Sequence, residues 1–194
     1  MSEDRFSADR YQVEQLIRPI VNLYRISADG RAVAFVRQKR MAIKEDIRFF
    51  ADEDERDELF RIKARSMFEV GGRYDVRGAS DERIGVLEKV FGRSLFRSTW
   101  RVLDANEAEL AFVQERSLPL ALLRRLLDVL PYTDLVPIVF HFTITKDGRE
   151  LGEFTRRWGV RDRYELDLTG DSERTIDRRL ALALAIALDA LQSR

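Results

Sequence analysis

The chain has 194 residues, of which 45% are hydrophobic and 35% are charged, and its 34 basic residues balance 34 acidic ones. This length suits one domain with a single sizeable core. The balance removes the global positive field of a nucleic-acid-binding protein, so no nucleic-acid partner is expected. The absence of cysteine excludes disulfides and thiolate metal sites. The charged opening, residues 1–10, lacks the apolar core of a secretory signal, so we expect a soluble cytoplasmic protein.

Most of the chain before residue 172 predicts short β-strands. A hairpin pattern recurs three times, beginning at Tyr24, Tyr74 and Phe142. Each copy has an alternating strand, a turn rich in Asp, Gly or Ser, and then an aliphatic residue followed by a small one (Val33-Ala34, Ile84-Gly85 and Leu151-Gly152). Two of the turns contain Asp-Gly, the strongest short hairpin signal. Another alternating strand follows each hairpin, at Asp46, Ser98 and Arg163, so the sequence predicts a repeated β-meander.

Further strands are predicted between these units, at Tyr11–Leu16, Leu59–Ala64, Met67–Val70 and Glu109–Gln114. The acidic run Asp52–Glu58 raises the possibility of a calcium loop, but an EF-hand beginning at Asp52 would need an acid at its twelfth position, where Lys63 stands. We therefore interpret this run as a solvated loop between strands.

The segment 117–137 does not fit the repeat and predicts a helical insertion. Ser117 is a suitable N-cap, and the helix is expected to end at Leu130 before Pro131. One broad face of this 118–130 helix carries the leucines, among them Leu122, Leu123, Leu126 and Leu130. Such a face could enter a membrane interface or dock a partner protein. The alternative, typical of soluble domains, is that the helix lies over the protein's own core with its leucines buried.

The stretch from Leu180 to Leu191 is dominated by leucine and alanine. Alanine favours helices and is depleted in strands, so we predict a helix over about Ser172–Leu191, with Asp171 or Ser172 as its N-cap. Its large apolar side chains point in opposite directions, which makes the helix apolar all round. Its uninterrupted apolar run ends at Leu188, short of the roughly 20 residues of a membrane span, so a buried central helix is predicted.

Many short antiparallel strands followed by such a helix predict a closed barrel with the helix as its filling. The motifs YRISADGRAVA from Tyr24, FTITKDGRELG from Phe142 and WGVRDRYEL from Trp158, with the terminal helix, resemble the LURP-one-related group of the tubby-like and phospholipid-scramblase-like superfamily. The resemblance implies one domain over residues 1–194, with a core over about 11–191, in which about twelve antiparallel strands enclose the C-terminal helix. The calcium loop and palmitoylation segment of scramblases are missing, and the phosphoinositide-binding basic pair of tubby proteins cannot be aligned. What the resemblance implies is therefore architecture rather than function.

Catalytic signatures are sparse. His141 is the only histidine, and without cysteine or neighbouring carboxylates it cannot build a typical zinc site, so we interpret it as a structural or surface residue. No phosphate-binding loop, nucleophile elbow or metalloprotease motif appears in the sequence. We therefore expect a non-enzymatic protein without a metal or cofactor.

Basic residues follow each of the three hairpins. If the three units surround one barrel, these residues could gather on a rim and bind phosphate headgroups. Equally, they could be the ordinary solvated charge of a soluble barrel. The leading hypothesis is a module that binds anionic phospholipids or membrane surfaces. The alternative is a protein-docking module that uses the 118–130 helix. A small-molecule carrier or enzyme is a third, weaker hypothesis, because it would need a pocket beside the central helix. The candidate anion-binding residues are Arg37, Lys39, Arg40, Lys89, Arg93, Arg156, Arg157 and Arg161.

Overall fold

The computed structural model of the chain describes residues 3–16, 21–39, 46–65, 72–90, 98–116, 141–157 and 163–191. The described residues form a short 3-10 helix (Glu3–Phe6), twelve strands and one α-helix. The strands are β1 (Arg10–Leu16), β2 (Val21–Ala28), β3 (Arg31–Lys39), β4 (Asp46–Phe50), β5 (Glu58–Ala64), β6 (Arg73–Gly78), β7 (Arg83–Lys89), β8 (Thr99–Asp104), β9 (Glu109–Glu115), β10 (His141–Lys146), β11 (Arg149–Arg157) and β12 (Arg163–Asp167), and the helix is α1 (Arg178–Ala190).

The twelve strands form a closed antiparallel barrel in which each strand pairs with its neighbours in the chain. The first and last strands complete the circle, because β1 pairs with β12 from Arg10 opposite Asp167 to Glu14 opposite Arg163. Closure pairs both edges of the sheet. In an open sheet, an unpaired edge strand can pair with another chain and cause aggregation. The predicted barrel of about twelve strands is confirmed. Of the predicted strands, Met67–Val70 lies outside the described residues.

The three hairpins of the sequence occupy equivalent places in the barrel. They are β2–β3, β6–β7 and β10–β11, and each lies four strands from the next. Each pair shifts register at the same point, after Ile26, Val76 and Ile144 respectively. The residue skipped by each shift is the aliphatic residue noted in the sequence, and the small residue beside it pairs with Ile26, Val76 or Ile144. The repeated aliphatic-small pair therefore encodes a β-bulge, which increases the local twist of a strand.

The glycines beside two of the bulges are required by close backbone approach. A Cβ atom on Gly152 would lie 2.2 Å from the carbonyl oxygen of Asp167. A Cβ atom on Gly85 would lie 2.5 Å from the carbonyl oxygen of Leu103 and 2.7 Å from Cδ2 of Leu180 in α1. Neither position has room for a side chain, so the wall packs tightly both on itself and on the helix.

The two ends of the barrel differ. The connections β2–β3, β4–β5, β6–β7, β8–β9 and β10–β11 lie at one end, which we call the hairpin end. Strand β12 also finishes at the hairpin end, and α1 begins there before running through the barrel to finish at the opposite end, which we call the helix-exit end. The acidic run is confirmed as a loop, since residues 51–57 connect β4 to β5 at the hairpin end.

Helix α1 fills the barrel as predicted. Its apolar side chains from Leu180 to Leu188 are at most 1% exposed, on every side of the helix. They join one core cluster with inward-facing residues of the strands, such as Phe60, Trp100 and Phe154. Burying each leucine contributes about 1.5–3 kcal/mol, so this helix is a large part of the stabilising core.

The predicted start of the helix was wrong. Helix α1 begins at Arg178, with Asp177 as N-cap accepting a hydrogen bond from the backbone N–H of Arg179. The preceding residues form a turn instead, in which Arg174 has a positive φ of 51°. Glu55 and Glu107 have the same conformation in the β4–β5 and β8–β9 turns, so this segment is the third copy of a repeated turn. The chain then enters the barrel, and β1 lies where a fourth strand of the third unit would lie.

Asp171, predicted as a cap, instead holds this turn against the helix. Its carboxylate accepts hydrogen bonds from the backbone N–H groups of Thr175 and Ile176 and from the Arg178 guanidinium at 2.7 Å. Arg178 also donates to Asp9 at 2.6 Å. Asp171 and Arg178 are 1% and 4% exposed, so this is a buried and extensively bonded ion pair at the entry of the helix.

The Asp171 pair makes stability depend on pH. Burial raises the pKa of Asp171, but hydrogen bonds from Arg178, Ile176 and Thr175 outweigh burial and hold the pKa below its ordinary value of 3.8. The stability from this carboxylate is therefore present above pH 3.8 and lost as the pH falls through the lower folded-state pKa. We expect Asp171→Asn to lower the free energy of unfolding by about 3 kcal/mol at pH 7 and by much less at pH 2. Urea titrations at both pH values measure this, and an equal loss at both would contradict it.

Candidate anion-binding end of the barrel

Charge is distributed unequally between the two ends of the barrel. At the hairpin end, the turns 29–30, 51–57, 79–82, 105–108 and 147–148 contain one base, Arg56, and many acids (Asp29, Asp52, Glu53, Asp54, Glu55, Asp57, Asp81, Glu82, Glu107 and Asp147). The two strand residues on each side of these turns add bases (Arg31, Arg77, Arg83, Lys146 and Arg149) and acids (Glu58, Asp104, Glu109 and Glu150) in nearly equal number, so this end remains acidic. The helix-exit end is represented by the described residues nearest to it. These are the last two residues of each described segment whose strand finishes at this end and the first two residues of each segment whose strand begins there. These include two acids, Asp46 and Glu115, and many bases (Lys39, Arg65, Arg73, Lys89, Arg116, Arg156, Arg157 and Arg163). The helix-exit end is therefore the basic end.

Several of these bases are engaged on the outer wall. Arg65 binds Asp75 at 2.7 Å and Glu107 at 2.8 Å. Arg73 binds Glu88 at 2.7 Å and lies 3.5 Å from Glu107. Such partly exposed pairs contribute little stability each, and the arginines remain at the surface. Glu107 belongs to the β8–β9 turn and reaches back over the wall to both arginines, so Arg65 and Arg73 add little net positive charge to the helix-exit end.

Arg37, predicted for the rim, lies on the outer wall of β3. Its guanidinium binds Glu55 at 2.5 Å, and neighbouring Arg25 binds Glu53 at 2.5 Å. Both acids belong to the β4–β5 turn, which reaches back over this wall. The structure therefore places Arg37 with the acids of that turn rather than with the strand ends.

Three equivalent positions face the inside of the barrel at its helix-exit end. Gln38, Lys89 and Arg156 lie two residues beyond the inward-facing Val36, Leu87 and Phe154, and side chains alternate between the faces of a strand. Gln38 is buried and accepts a hydrogen bond from the Asn22 amide at 2.9 Å. Lys89 donates to the carbonyl oxygen of Leu191 at 3.2 Å, and its Nζ lies 5.8 Å from the centre of the Trp100 ring. This contact places a cation at the negative end of the α1 dipole.

The last turn of α1 is also attached to the wall by an acid. The carboxylate of Asp189 accepts hydrogen bonds from the hydroxyls of Tyr24 at 2.8 Å and Tyr164 at 2.5 Å. Both tyrosine rings are at most 3% exposed. This explains why a charged residue is tolerated in an otherwise apolar helix.

The structure brings some of the predicted anion-binding residues together and leaves others untested. Strands β3, β7 and β11, which carry Lys39, Lys89, Arg156 and Arg157, all finish at the helix-exit end. Arg157 is exposed and binds Glu165 at 2.6 Å, while the side chain of Lys39 lies outside the described atoms. The other predicted residues lie outside the described ranges: Arg40, Arg93, Arg161, Leu122, Leu123, Leu126 and Leu130, the last four with the whole 118–130 helix.

Two buried donors at this end were missed by the sequence analysis. The indole Nε1–H of Trp100 and the hydroxyl of Ser98 are buried, and neither has a hydrogen-bond partner in the described structure. Both residues belong to the start of the β8 segment and face the inside of the barrel near Lys89. Sequence alternation marks Trp100 as a core residue but cannot show that its N–H group finds no acceptor.

The hairpin end has an open cleft of about 680 Å³. Its wall includes Phe6, Leu59, Glu82, Ile176 and Arg179. Arg179 is occupied by Asp177 at 2.6 Å and lies 3.8 Å from Glu82. Arg179 thus pairs with acids of the same cleft.

His141 lies on the outer wall of β10, where its Nε2 is 2.9 Å from the carboxylate of Glu153. This agrees with its interpretation as a surface residue. Across the described ranges, no three His, Cys, Asp or Glu side chains come together in a way that could hold a metal ion. The same part of the chain contains no helix with the length and apolar character needed to span a membrane.

A closed twelve-stranded barrel, filled by its own C-terminal helix and basic at one end, defines the class of this protein. Residues 32–189 match the family model described as LURP-one-related, so the chain belongs to that family. The match begins in β3 and ends in the last turn of α1, so it includes ten of the twelve strands but not β1 and β2. A comparison with curated proteins finds no match.

Proposed function

We propose that this protein is a non-enzymatic binding module that docks reversibly on cytoplasmic membrane surfaces containing anionic phospholipids. The helix-exit end faces the membrane, and the acidic hairpin end faces away from it. The unequal charge of the two ends is the observation that supports this proposal. The net charge of the chain is zero, but its bases are concentrated at one end, which can therefore attract an anionic surface. A basic residue close to an anionic membrane contributes about 1 kcal/mol to binding, and a few of them suffice for reversible attachment.

Exposed arginines at the helix-exit end are the expected contacts. Arg116 is exposed at the end of β9, and the Arg157 side chain is 65% exposed at the end of β11. Arg163 is also exposed, at 64% of its side chain, and its guanidinium lies 3.7 Å from the carboxylate of Glu14. Reaching a phosphate requires little displacement of such side chains, because weak exposed ion pairs exchange readily with other anions.

The test is co-sedimentation with vesicles of phosphatidylcholine, with and without phosphatidylserine. We expect binding only to the phosphatidylserine vesicles, stronger at low salt, because surface charges are screened within about 10 Å at 0.1 M salt. The double substitution Arg116→Glu/Arg157→Glu should weaken binding at least about tenfold, since each change removes an attraction and adds a repulsion.

Arg31→Glu/Arg56→Glu is the matched control with the same change of charge, because both arginines are exposed at the hairpin end and their reversal should change the affinity less than about twofold. No binding of the wild-type protein at low salt would overturn the proposal. Equal weakening by the control and the double variant would show that the binding face is not the helix-exit end.

A further inference from the structure

We infer that the inside of the helix-exit end contains a seat for a single phosphodiester group, formed by the indole N–H of Trp100, the hydroxyl of Ser98 and the ammonium of Lys89. This inference deepens the proposed function and rests on it for the membrane as the source of the phosphodiester. It predicts recognition of a headgroup in addition to the general attraction between a basic surface and an anionic membrane.

The first step is the unused hydrogen-bonding capacity of Trp100. Its side chain is 0% exposed, yet its Nε1–H has no partner in the described structure. Buried polar groups in folded proteins are nearly always hydrogen-bonded, and an indole N–H can only donate. Among the described residues no acceptor, including the buried Oε1 of Glu115 on β9, bonds to this N–H group, so a ligand oxygen is the partner that we assign to it. The hydroxyl of Ser98, two residues earlier on the same inward-facing row, is buried and has no partner either.

The second step is a comparison between equivalent units of the barrel. Trp100 lies opposite Lys89 in β7, and Tyr164 lies opposite Arg156 in β11. The polar tip of Tyr164 is satisfied by Asp189 of the helix. Asp189 also binds Tyr24, so the acid of the last helical turn is committed to that side of the barrel. Trp100, on the other side, is left with a donor that the helix does not satisfy.

The third step is the charge beside these donors. Lys89 Nζ lies 5.8 Å from the centre of the Trp100 ring and 3.2 Å from the carbonyl oxygen of Leu191. Glu115, on the adjacent strand β9, is 4% exposed and its backbone N–H donates to the carbonyl of Ser98. A lysine and a glutamate together leave the local charge close to neutral.

This balance selects the chemical class of the ligand. The cost of removing an ion from water rises steeply with its charge, and a nearly neutral site repays little of it. A phosphodiester carries one negative charge, whereas free phosphate is partly doubly charged at pH 7. Two neutral donors and one ammonium can satisfy the two unesterified oxygens of a diester. A phospholipid headgroup supplies such a group at the surface on which the helix-exit end docks.

The experiment uses the fluorescence of Trp100. The chain has two tryptophans, Trp100 and Trp158, so Trp158→Phe in the full-length chain makes Trp100 the sole reporter. The probes are glycerophosphoglycerol, inorganic phosphate, and phosphatidylserine vesicles, each compared with sodium chloride at matched ionic strength. We expect a saturable change in Trp100 emission with glycerophosphoglycerol and with vesicles, and a weaker response to inorganic phosphate.

Ser98→Ala should weaken the response to glycerophosphoglycerol about tenfold, because it removes a hydrogen bond to a charged group. Ser80→Ala, at an exposed serine of the hairpin end, is the matched control and should leave the response unchanged. Trp100→Phe keeps an aromatic ring but lacks the N–H group. If it remains folded by circular dichroism, it should weaken vesicle binding, whereas Ser98→Ala tests the seat even if Trp100→Phe does not fold.

The outcomes separate this inference from the proposed function. Vesicle binding that is normal in Ser98→Ala, with no change in Trp100 emission, would overturn the seat and leave membrane docking intact. A response to glycerophosphoglycerol without any vesicle binding would support the seat and overturn the membrane as its source. An equal or stronger response to inorganic phosphate would overturn the assignment to a phosphodiester.

Discussion

Gly152→Ala should destabilise the barrel by about 3 kcal/mol or more. The added methyl group would lie 2.2 Å from the carbonyl oxygen of Asp167 and 3.0 Å from Cδ2 of Leu168. The first of these atoms belongs to the backbone of β12, so relief requires a strand of a closed barrel to move. Urea unfolding followed by tryptophan fluorescence measures the loss of stability.

Gly148→Ala is the control for this substitution. Gly148 lies in the β10–β11 turn with a φ of +79°, and a Cβ atom there would have no neighbour within 4 Å. Its replacement should cost only about 1 kcal/mol, the penalty of a left-handed conformation for alanine. If Gly152→Ala were no less stable than Gly148→Ala, the close approach between β11 and β12 would be wrong.

Leu184→Asp should prevent folding. Leu184 is 1% exposed in the middle of α1, surrounded by other apolar side chains of the barrel. The change removes about 1.5–3 kcal/mol of apolar burial and adds an unpaired buried carboxylate, which costs several kcal/mol more. The total approaches the whole stability of a typical domain, about 5–15 kcal/mol. Loss of the native circular dichroism spectrum, or recovery only in the insoluble fraction, is the expected result.

Leu184→Met is the companion variant, since it conserves volume and polarity and should cost less than about 1.5 kcal/mol. A soluble, cooperatively unfolding Leu184→Asp protein would place this side of α1 in water. The helix would then not lie inside the barrel.

Local patterns predicted most of the barrel. Alternation located the strands, and the recurring pairs Val33-Ala34, Ile84-Gly85 and Leu151-Gly152 identified the three repeated hairpins. That these pairs form β-bulges was not predicted, because the register of the partner strand decides it. The C-terminal helix was predicted from its alanine and leucine content, which favours a helix. Its burial was predicted because apolar side chains lie on every side of it.

The start of α1 was predicted six residues early. Ser172 and Asp177 are both good caps, and local propensity cannot choose between them. The choice is made by the buried contact of Asp171 with Arg178, which needs the folded turn to bring the two groups together. The sequence also could not show that β1 would occupy the position of a fourth strand in the third unit, because β1 and β12 are distant in the chain.

The candidate site was only partly predictable. The repeat placed Lys89 and Arg156 at equivalent positions, and strand direction then put them at the same end of the barrel. The contact of Arg37 with Glu55 was not foreseen, because it depends on how the β4–β5 turn folds back over β3. Likewise, the unpartnered donor of Trp100 depends on which tyrosines the acid of the last helical turn binds.

In the proposed function, the barrel docks on the membrane by its helix-exit end. The strongest test is to measure which end of the bound protein contacts the vesicle. Because the chain has no cysteine, Val90→Cys and Ser80→Cys each allow one environment-sensitive fluorophore to be attached, at opposite ends of β7. On phosphatidylserine vesicles containing a lipid-bound quencher, we predict a blue shift and quenching for the label at position 90 and no change for the label at position 80. Quenching at position 80 alone, or equal quenching at both positions, would contradict docking by the helix-exit end.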